Sequence, residues 1–165
     1  HITLLKAFKI INKKIKSKLL IIGSGKNEQI IQYFINENNL HRSVKLMPFQ
    51  KNPYKYINLA DIFVLTSKFE GLPNVLLEAL SLKKFVISSN CPTGPSEILL
   101  RGKAGFLFKI GNYKQLAKKI LIQYKNQKKN KVMTNYGYLN LFRYSYKKNC
   151  EKYLNLILKY LKDEK

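Results

Sequence analysis

The sequence predicts an α/β fold in which a Rossmann-like parallel sheet carries helices on both faces. Short, continuous apolar runs at residues 19–22 and 85–88 are typical of strands buried on both sides. They alternate with segments whose apolar residues recur every three or four positions, which is the helical period. Glycine and proline cluster where the runs end. Alternating strands and helices favour a parallel sheet covered by helices.

The individual elements follow from local signals. Leu4, Leu5, Phe8, Ile11 and Ile15 share one helical face, so a first helix is predicted over residues 2–16. Further helices are predicted over 27–39, 53–59 and 112–124, another from 72 or 73 to about 82, a short one from 95, and a last one over 131–162. Strands are predicted at 19–22, 44–47, 61–65, 85–88 and 106–108.

Proline and asparagine mark several of the helix starts. Pro53, Pro73 and Pro95 suit the first turn of a helix, where proline is favoured because no N–H is needed. Asn112 is a typical N-cap residue. The polar, lysine-rich stretch 125–130 is interpreted as a connector. We therefore divide the chain into a sheet domain at 1–124 and a helical extension at 125–165.

The charge of the chain is strongly positive. The net charge is +22, from 31 Lys and Arg against 9 Asp and Glu, and only three of the basic residues are arginine. Nucleic acid and anionic membranes attract such a charge, but AT-rich codon usage produces it without any partner. Two cysteines without metal-ligand spacing indicate a reducing compartment. No apolar run reaches the length of a membrane span.

The organising feature is the stretch of residues 66–79, where a strand turns into a helix. Pro73 starts that helix, and the unpaired N–H groups at its beginning form a site suited to phosphate. Gly71 allows close approach. Glu70 lies in the turn, and Glu78 lies about one and a half turns inside the helix, on the flank of an apolar face formed by Val75, Leu76, Ala79 and Leu82.

Two carboxylates beside a phosphate site indicate a ligand that also carries hydroxyl groups. Carboxylates accept hydrogen bonds from the hydroxyls of a sugar and a ribose. A nucleotide-sugar offers one of each, joined by a diphosphate. We expect Glu70 to accept from the sugar and Glu78 from the ribose, with the backbone of Gly71–Val75 holding the phosphate.

Gly23 and Phe49 follow two earlier strands at the same edge of the predicted sheet. The Gly23-Ser24-Gly25 turn fails the dinucleotide fingerprint, because Glu28 stands where the third glycine belongs. It either lets backbone approach a nucleotide or serves only as a tight turn. Phe49 is interpreted as a core aromatic or as a neighbour of the nucleotide base.

Four segments carry a family resemblance. Residues 70–79 resemble the Glu-x7-Glu donor motif of the retaining glycosyltransferases of family 4, and residues 20–25, 91–98 and 102–107 resemble the same family in the same order. The resemblance implies the C-terminal, donor-binding half of a GT-B fold and metal-independent transfer of a sugar with retained configuration. It implies that Glu70 is catalytic. The implied donor-binding residues are Glu70, Gly71, Leu72, Pro73, Asn74, Val75, Leu76, Glu78, Gly23 and Phe49.

The resemblance also implies structure and partners beyond this chain. An N-terminal GT-B domain would bind a glycan or lipid-linked acceptor, at the cytoplasmic face of a membrane. The sequence opens at His1 in the middle of a pattern, and we interpret it as a piece of a longer chain. A strand and a diphosphate-clamping Arg and Lys would precede it. That strand would be central, so we expect a gap between the strands at 19–22 and 62–65.

Two alternatives remain at this point. A nucleotide-sugar epimerase of GT-B fold would share the donor site but needs further catalytic groups. A basic module for nucleic acid would need arginines and aromatics on one face, whereas the aromatics here recur at core spacing. We therefore expect no nucleic-acid partner. The C-terminal helix is expected to cross an N-terminal domain, touch an anionic membrane surface, or face solvent.

Overall fold

The computed structural model describes residues 1–163 and has the α/β architecture that the sequence predicts. The strands are β1 (Leu19–Ile22), β2 (Val44–Met47), β3 (Ile62–Leu65), β4 (Phe85–Ser89) and β5 (Phe106–Phe108). The helices are α1 (Ile2–Asn12), α2 (Glu28–Glu37), α3 (Tyr54–Leu59), α4 (Asn74–Ser81), α5 (Pro95–Ile98), α6 (Tyr113–Lys125), α7 (Gln127–Leu139) and α8 (Tyr146–Asp163). Short 3-10 segments span Leu100–Gly102 and Asn140–Tyr144.

The strands form two parallel sheets. β1 pairs with β2, starting from Leu19 opposite Val44, and β3, β4 and β5 form the second sheet in that order. Within the described residues β1 and β3 share no hydrogen-bonded ladder. This is the gap that the sequence predicts between these two strands.

α1 connects the two sheets on one face. Leu4 and Ile11 pack in a cluster with Phe85 and Ile87 of β4, while Phe8 belongs to a second cluster around β1 and α2. Burying side chains of this size stabilises the fold by about 1.5–3 kcal/mol each. The two sheets therefore share a helix, although they share no ladder.

The opposite face of the larger sheet is covered by α4 and α5. Leu76, Ala79 and Leu80 of α4 are fully buried against Val86 and Ile98. β4 is buried along its whole length, with Phe85 and Ile87 facing one cluster and Val86 the other. Helices thus cover both faces, as predicted, and β4 is the central strand of its sheet.

The predicted connector at 125–130 is wrong, because most of this stretch is helical. α6 ends at Lys125 and α7 begins at Gln127. Lysine has a good helix propensity, so a lysine-rich stretch need not be a loop. A buried hydrogen bond from Asn130 Nδ2 to Gln123 Oε1, at 2.5 Å, ties the two helices together. The polar composition of this stretch predicts a loop, whereas Asn130 faces inward and pairs with Gln123.

The single helix predicted over 131–162 is also wrong. A 3-10 segment at Asn140–Tyr144 separates α7 from α8. The apolar face of α8 is exposed within the described residues: Tyr146 is 85%, Tyr153 70% and Leu154 56% exposed. Residues 164 and 165 of the predicted extension lie outside the described residues. Among the helices described, none combines the length and the apolar character that crossing a bilayer requires.

Candidate functional site

The turn between β3 and α4 (residues 66–73, the β3–α4 turn) leads into the predicted anion site. α4 begins at Asn74, and Pro73 precedes it as the N-cap with a non-helical ψ of 89°. The predicted start at residue 72 or 73 is therefore one or two residues early. The amides of Asn74 and Val75 have no acceptor inside the helix by helix geometry, while Leu76 N donates back to Pro73 O at 2.9 Å.

The loop between β4 and α5 (residues 90–94, the β4–α5 loop) packs against this turn. Thr93 Oγ1 donates a hydrogen bond to the backbone carbonyl of Glu70. At the end of β4, Ser89 Oγ donates to Ser67 O at 2.6 Å. Two hydroxyl groups therefore hold the backbone of the turn at two separate carbonyls.

Gly94 lies directly against the β3–α4 turn. A Cβ built at this position would lie 2.4 Å from Pro73 Cδ and 2.5 Å from Gly71 O. Its φ of +86° and ψ of −69° are also strained for any residue with a side chain. Both the space and the backbone conformation require glycine here.

The two predicted carboxylates, Glu70 and Glu78, are both half-buried. The hydrogen bonds at these residues engage backbone carbonyls: Glu70 O accepts from Thr93, and Glu78 O accepts from Ser81 Oγ at 2.7 Å. Among residues 1–163 no hydrogen bond to either carboxylate is observed, so both can accept from a ligand. Burial raises the pKa of the Cys91 thiol, and the negative charge of the Glu70 carboxylate raises it further.

The remaining residues of the motif divide between surface and core. Gly71 and Asn74 are exposed, and Leu72 is 51% exposed. Val75, predicted to face inward, is 38% exposed, whereas Leu76 is fully buried. The side chain of Leu76 therefore lies in the core beside the larger sheet. Leu80 was not predicted to face inward, yet it is buried, whereas Val75 is not. The inner face of α4 is therefore rotated about the helix axis relative to the predicted face.

Gly23 and Phe49 lie on the other side of the gap, where β1 and β2 end. Gly23 has a φ of +137° and donates its N–H to Met47 O at 2.9 Å, and a Cβ there would meet nothing within 4 Å. Phe49 is 74% exposed, so the core interpretation is wrong, because the loop carries this ring into solvent. The structure leaves these two residues on the smaller sheet and the Glu70 motif on the larger one.

Sequence reasoning missed Phe69, which is 80% exposed in the turn beside Glu70. It also missed the contacts of Thr93 and Gly94. The available signal was Gly94 between two prolines, a spacing typical of a backbone position with special geometry.

Glu97 contacts the C-terminal part of the chain. Tyr144 Oη donates to Glu97 Oε1 at 3.3 Å, and Arg143 Nη2 donates to Glu97 O, also at 3.3 Å. Burial raises the pKa of Tyr144, and the Glu97 charge raises it further. Glu97 is thus bonded to the segment between α7 and α8.

Known proteins resemble this chain in both sequence and structure. The family described as glycosyl transferases group 1 matches residues 1–140. An uncharacterized glycosyltransferase of Methanocaldococcus jannaschii is 45% identical over 97 residues, which cover 58% of this chain and 24% of that protein. An N-acetylgalactosamine-N,N'-diacetylbacillosaminyl-diphospho-undecaprenol 4-alpha-N-acetylgalactosaminyltransferase of Campylobacter jejuni is 33% identical over 112 residues, which cover 68% of this chain and 30% of that protein.

A solved structure extends the similarity to nearly the whole chain. A mutant of TarM from S. aureus, in complex with fondaparinux, alpha-GlcNAc-glycerol and UDP, superposes with a TM-score of 0.85 at 29% identity. The match covers 93% of this chain and 32% of TarM. The chain therefore spans about a quarter to a third of the length of these relatives.

Proposed function

This chain belongs to the group 1 glycosyl transferases, and on that premise we propose that it is the donor-binding half of a retaining GT-B glycosyltransferase. The enzyme transfers a hexose from a nucleoside diphosphate sugar to a hydroxyl of a glycan or lipid-linked acceptor. The product belongs to a surface polysaccharide or a glycolipid. The observation that carries this proposal is the start of α4, where amides without an acceptor inside the helix fall, in the sequence, between two half-buried glutamates.

The proposed roles follow from the chemistry of each group. The amides of Asn74 and Val75, at the positive end of the α4 dipole, hold the diphosphate. As the bond to the sugar breaks, negative charge grows on the departing diphosphate, and donors already in place stabilise it. Glu70 accepts from hydroxyls of the transferred sugar, and Glu78 accepts from the ribose. Gly23 and Phe49 approach the nucleotide from the β1–β2 side.

The relatives support this proposal. The Campylobacter protein is named as an N-acetylgalactosaminyltransferase acting on a diphospho-undecaprenol, and the TarM mutant is described in complex with UDP. A nucleotide-sugar donor and a glycan acceptor are the corresponding ligands here. The donor's sugar and base are to be identified by experiment.

The proposed partners include an N-terminal GT-B domain and a membrane. The N-terminal domain supplies the acceptor site. The exposed apolar face of α8 meets either that domain or the lipid surface. A net charge of +22 suits the anionic inner face of the plasma membrane, where we place the enzyme as a peripheral protein.

One observation keeps the basic nucleic-acid module as a second candidate. Tyr146 and Tyr153 of α8 are exposed on a helix that also carries lysines, so the argument that its aromatics are core residues no longer holds. A salt titration separates the two functions, because binding to nucleic acid weakens steeply with salt. Retention of nucleoside diphosphate at a salt concentration that releases DNA favours the transferase.

The experiment that tests the proposal is ligand-observed NMR of the intact protein against a panel of nucleotide-sugars. We expect one nucleoside diphosphate and its sugar conjugate to bind. Failure of the whole panel to bind contradicts the proposal.

We also propose that transfer needs no metal, so a chelator should leave the rate unchanged. A rate that falls with EDTA and returns with a divalent cation contradicts metal independence alone. An epimerase would instead convert the bound sugar without an acceptor.

A further inference from the structure

We propose that the β4–α5 loop is a template that sets the position of Glu70, with Thr93 and Gly94 as positioning residues for the sugar half of the donor site. The inference rests on the proposed function. It adds two residues to which neither the Glu-x7-Glu motif nor the proposed roles assign a task. It also predicts which half of the nucleotide-sugar those residues affect.

The contacts that Thr93 and Gly94 make fall on the part of the turn that precedes α4. Thr93 Oγ1 donates to Glu70 O, and Gly94 packs against Gly71 O and the Pro73 ring. The carbonyl of Glu70 and the carbonyl of the next residue are therefore both held by the same two loop residues. A shift of the loop moves the backbone that carries the Glu70 carboxylate.

Gly94 makes this contact a fixed one. The groups nearest to its missing Cβ are a backbone carbonyl and a proline ring, neither of which can rotate away as a flexible side chain can. Ser89, fully buried, fixes the start of the loop to Ser67 O at 2.6 Å. The loop and the turn therefore move as one unit.

The loop is also held at its C-terminal end, through α5. α5 follows it directly, and Arg143 Nη2 donates to Glu97 O at 3.3 Å while Tyr144 Oη donates to Glu97 Oε1 at 3.3 Å. Ile98, at the end of α5, is 1% exposed in the core. These contacts fix α5, and with it the end of the loop that contacts the turn.

Glu78 is positioned independently of this loop. Its backbone lies inside α4, which the buried side chains of Leu76 and Leu80 anchor to the sheet. In the proposed function Glu70 binds the sugar and Glu78 binds the ribose. Loosening the loop should therefore weaken recognition of the sugar and leave recognition of the nucleotide largely intact.

The test compares Thr93→Val, which removes the hydroxyl at nearly constant shape, with Thr93→Ser, which keeps it. Both are made in the intact protein, with the nucleoside diphosphate and nucleotide-sugar that the binding panel identifies. For Thr93→Val we expect the KM for the nucleotide-sugar to rise about three- to tenfold, the effect of one lost hydrogen bond. The Kd for the free nucleoside diphosphate should change by less than about twofold, and Thr93→Ser should keep the wild-type KM.

Ser17→Ala is the matched control. Ser17 Oγ also donates to a backbone carbonyl, Ile15 O at 3.3 Å, but it follows α1, away from the turn. It should change neither constant. A Thr93→Val protein with the wild-type KM overturns the inference, and so does one that loses sugar conjugate and free nucleotide equally. Wild-type protein that binds no nucleotide refutes the proposed function itself, which is a distinguishable result.

Discussion

The β1–α2 turn (residues 23–27) and the β3–α4 turn each connect a parallel strand to a helix at the same edge of the fold, yet they are built differently. In the first, a Cβ added at Gly23 or Gly25 would meet nothing within 4 Å. In the second, two hydroxyl donors and a glycine contact press a neighbouring loop onto the backbone. The glycine-rich turn is the open one. The β3–α4 turn, which has a single glycine, is the one that contacts with another part of the chain hold in place.

This difference shows that a glycine pattern alone does not identify a constructed site. A Gly-x-Gly sequence gives the backbone conformational freedom. Only packing against a second element restricts that backbone to one conformation. The β3–α4 turn has that second element, supplied from about twenty residues downstream in the sequence. The predictions below test how far the two turns differ, beginning with the largest expected effect.

Substituting the packed glycine should cost far more than substituting the open one. Gly94→Ala combines overpacking with a strained backbone, so we expect the free energy of unfolding to fall by about 3–5 kcal/mol. Gly25→Ala, in open space without a positive φ, should change it by less than about 0.5 kcal/mol. Urea unfolding of both variants measures this. Equal losses at the two positions would show that the turns do not differ in packing.

Removing charge beside the two turns should affect ligand binding unequally. Glu78→Gln should weaken binding of the nucleoside diphosphate by about 1–3 kcal/mol, because a charge-assisted hydrogen bond to the ribose is lost. Glu28, in the first turn of α2, is the matched acid beside the open turn. Glu28→Gln should leave the affinity unchanged. Titration calorimetry measures both, and unchanged affinity in Glu78→Gln removes that residue from the ribose.

The two exposed phenylalanines offer the finest comparison. Phe49, beside the β1–β2 edge, is proposed to contact the base, so Phe49→Ala should cost about 1 kcal/mol of nucleotide affinity. Phe69, in the β3–α4 turn and 80% exposed, should not affect the free nucleotide. Neither substitution should alter unfolding by more than about 0.5 kcal/mol. A loss confined to Phe69→Ala would place the base on the other side of the gap.

Local patterns were sufficient for most of the fold. The predicted strands at 19–22, 44–47 and 106–108 have the observed bounds, because short apolar runs between polar turns leave few alternative boundaries. Asn112 caps α6 as predicted, with its Oδ1 accepting from Gln115 N at 2.9 Å. A cap and a buried strand depend on residues adjacent in sequence, so they can be read from it.

The errors share a different cause. Phe49 is apolar, so a core position was one of its two interpretations, whereas its ring is 74% exposed. Val75 and Leu80 exchanged roles, because the inner face of α4 depends on where the sheet and α5 lie. The stretch 125–130 was judged by its polarity, although a buried Gln123–Asn130 pair holds it.

The amino-acid sequence by itself determined the order of strands and helices and the carboxylates on either side of the start of α4. Those features depend on periodicity, caps and spacing, which act over a few residues. Only the tertiary structure decided that Thr93 and Gly94 hold the β3–α4 turn and that α8 leaves its apolar face exposed. A periodic pattern states that a face is apolar, whereas burial depends on which distant element packs against it.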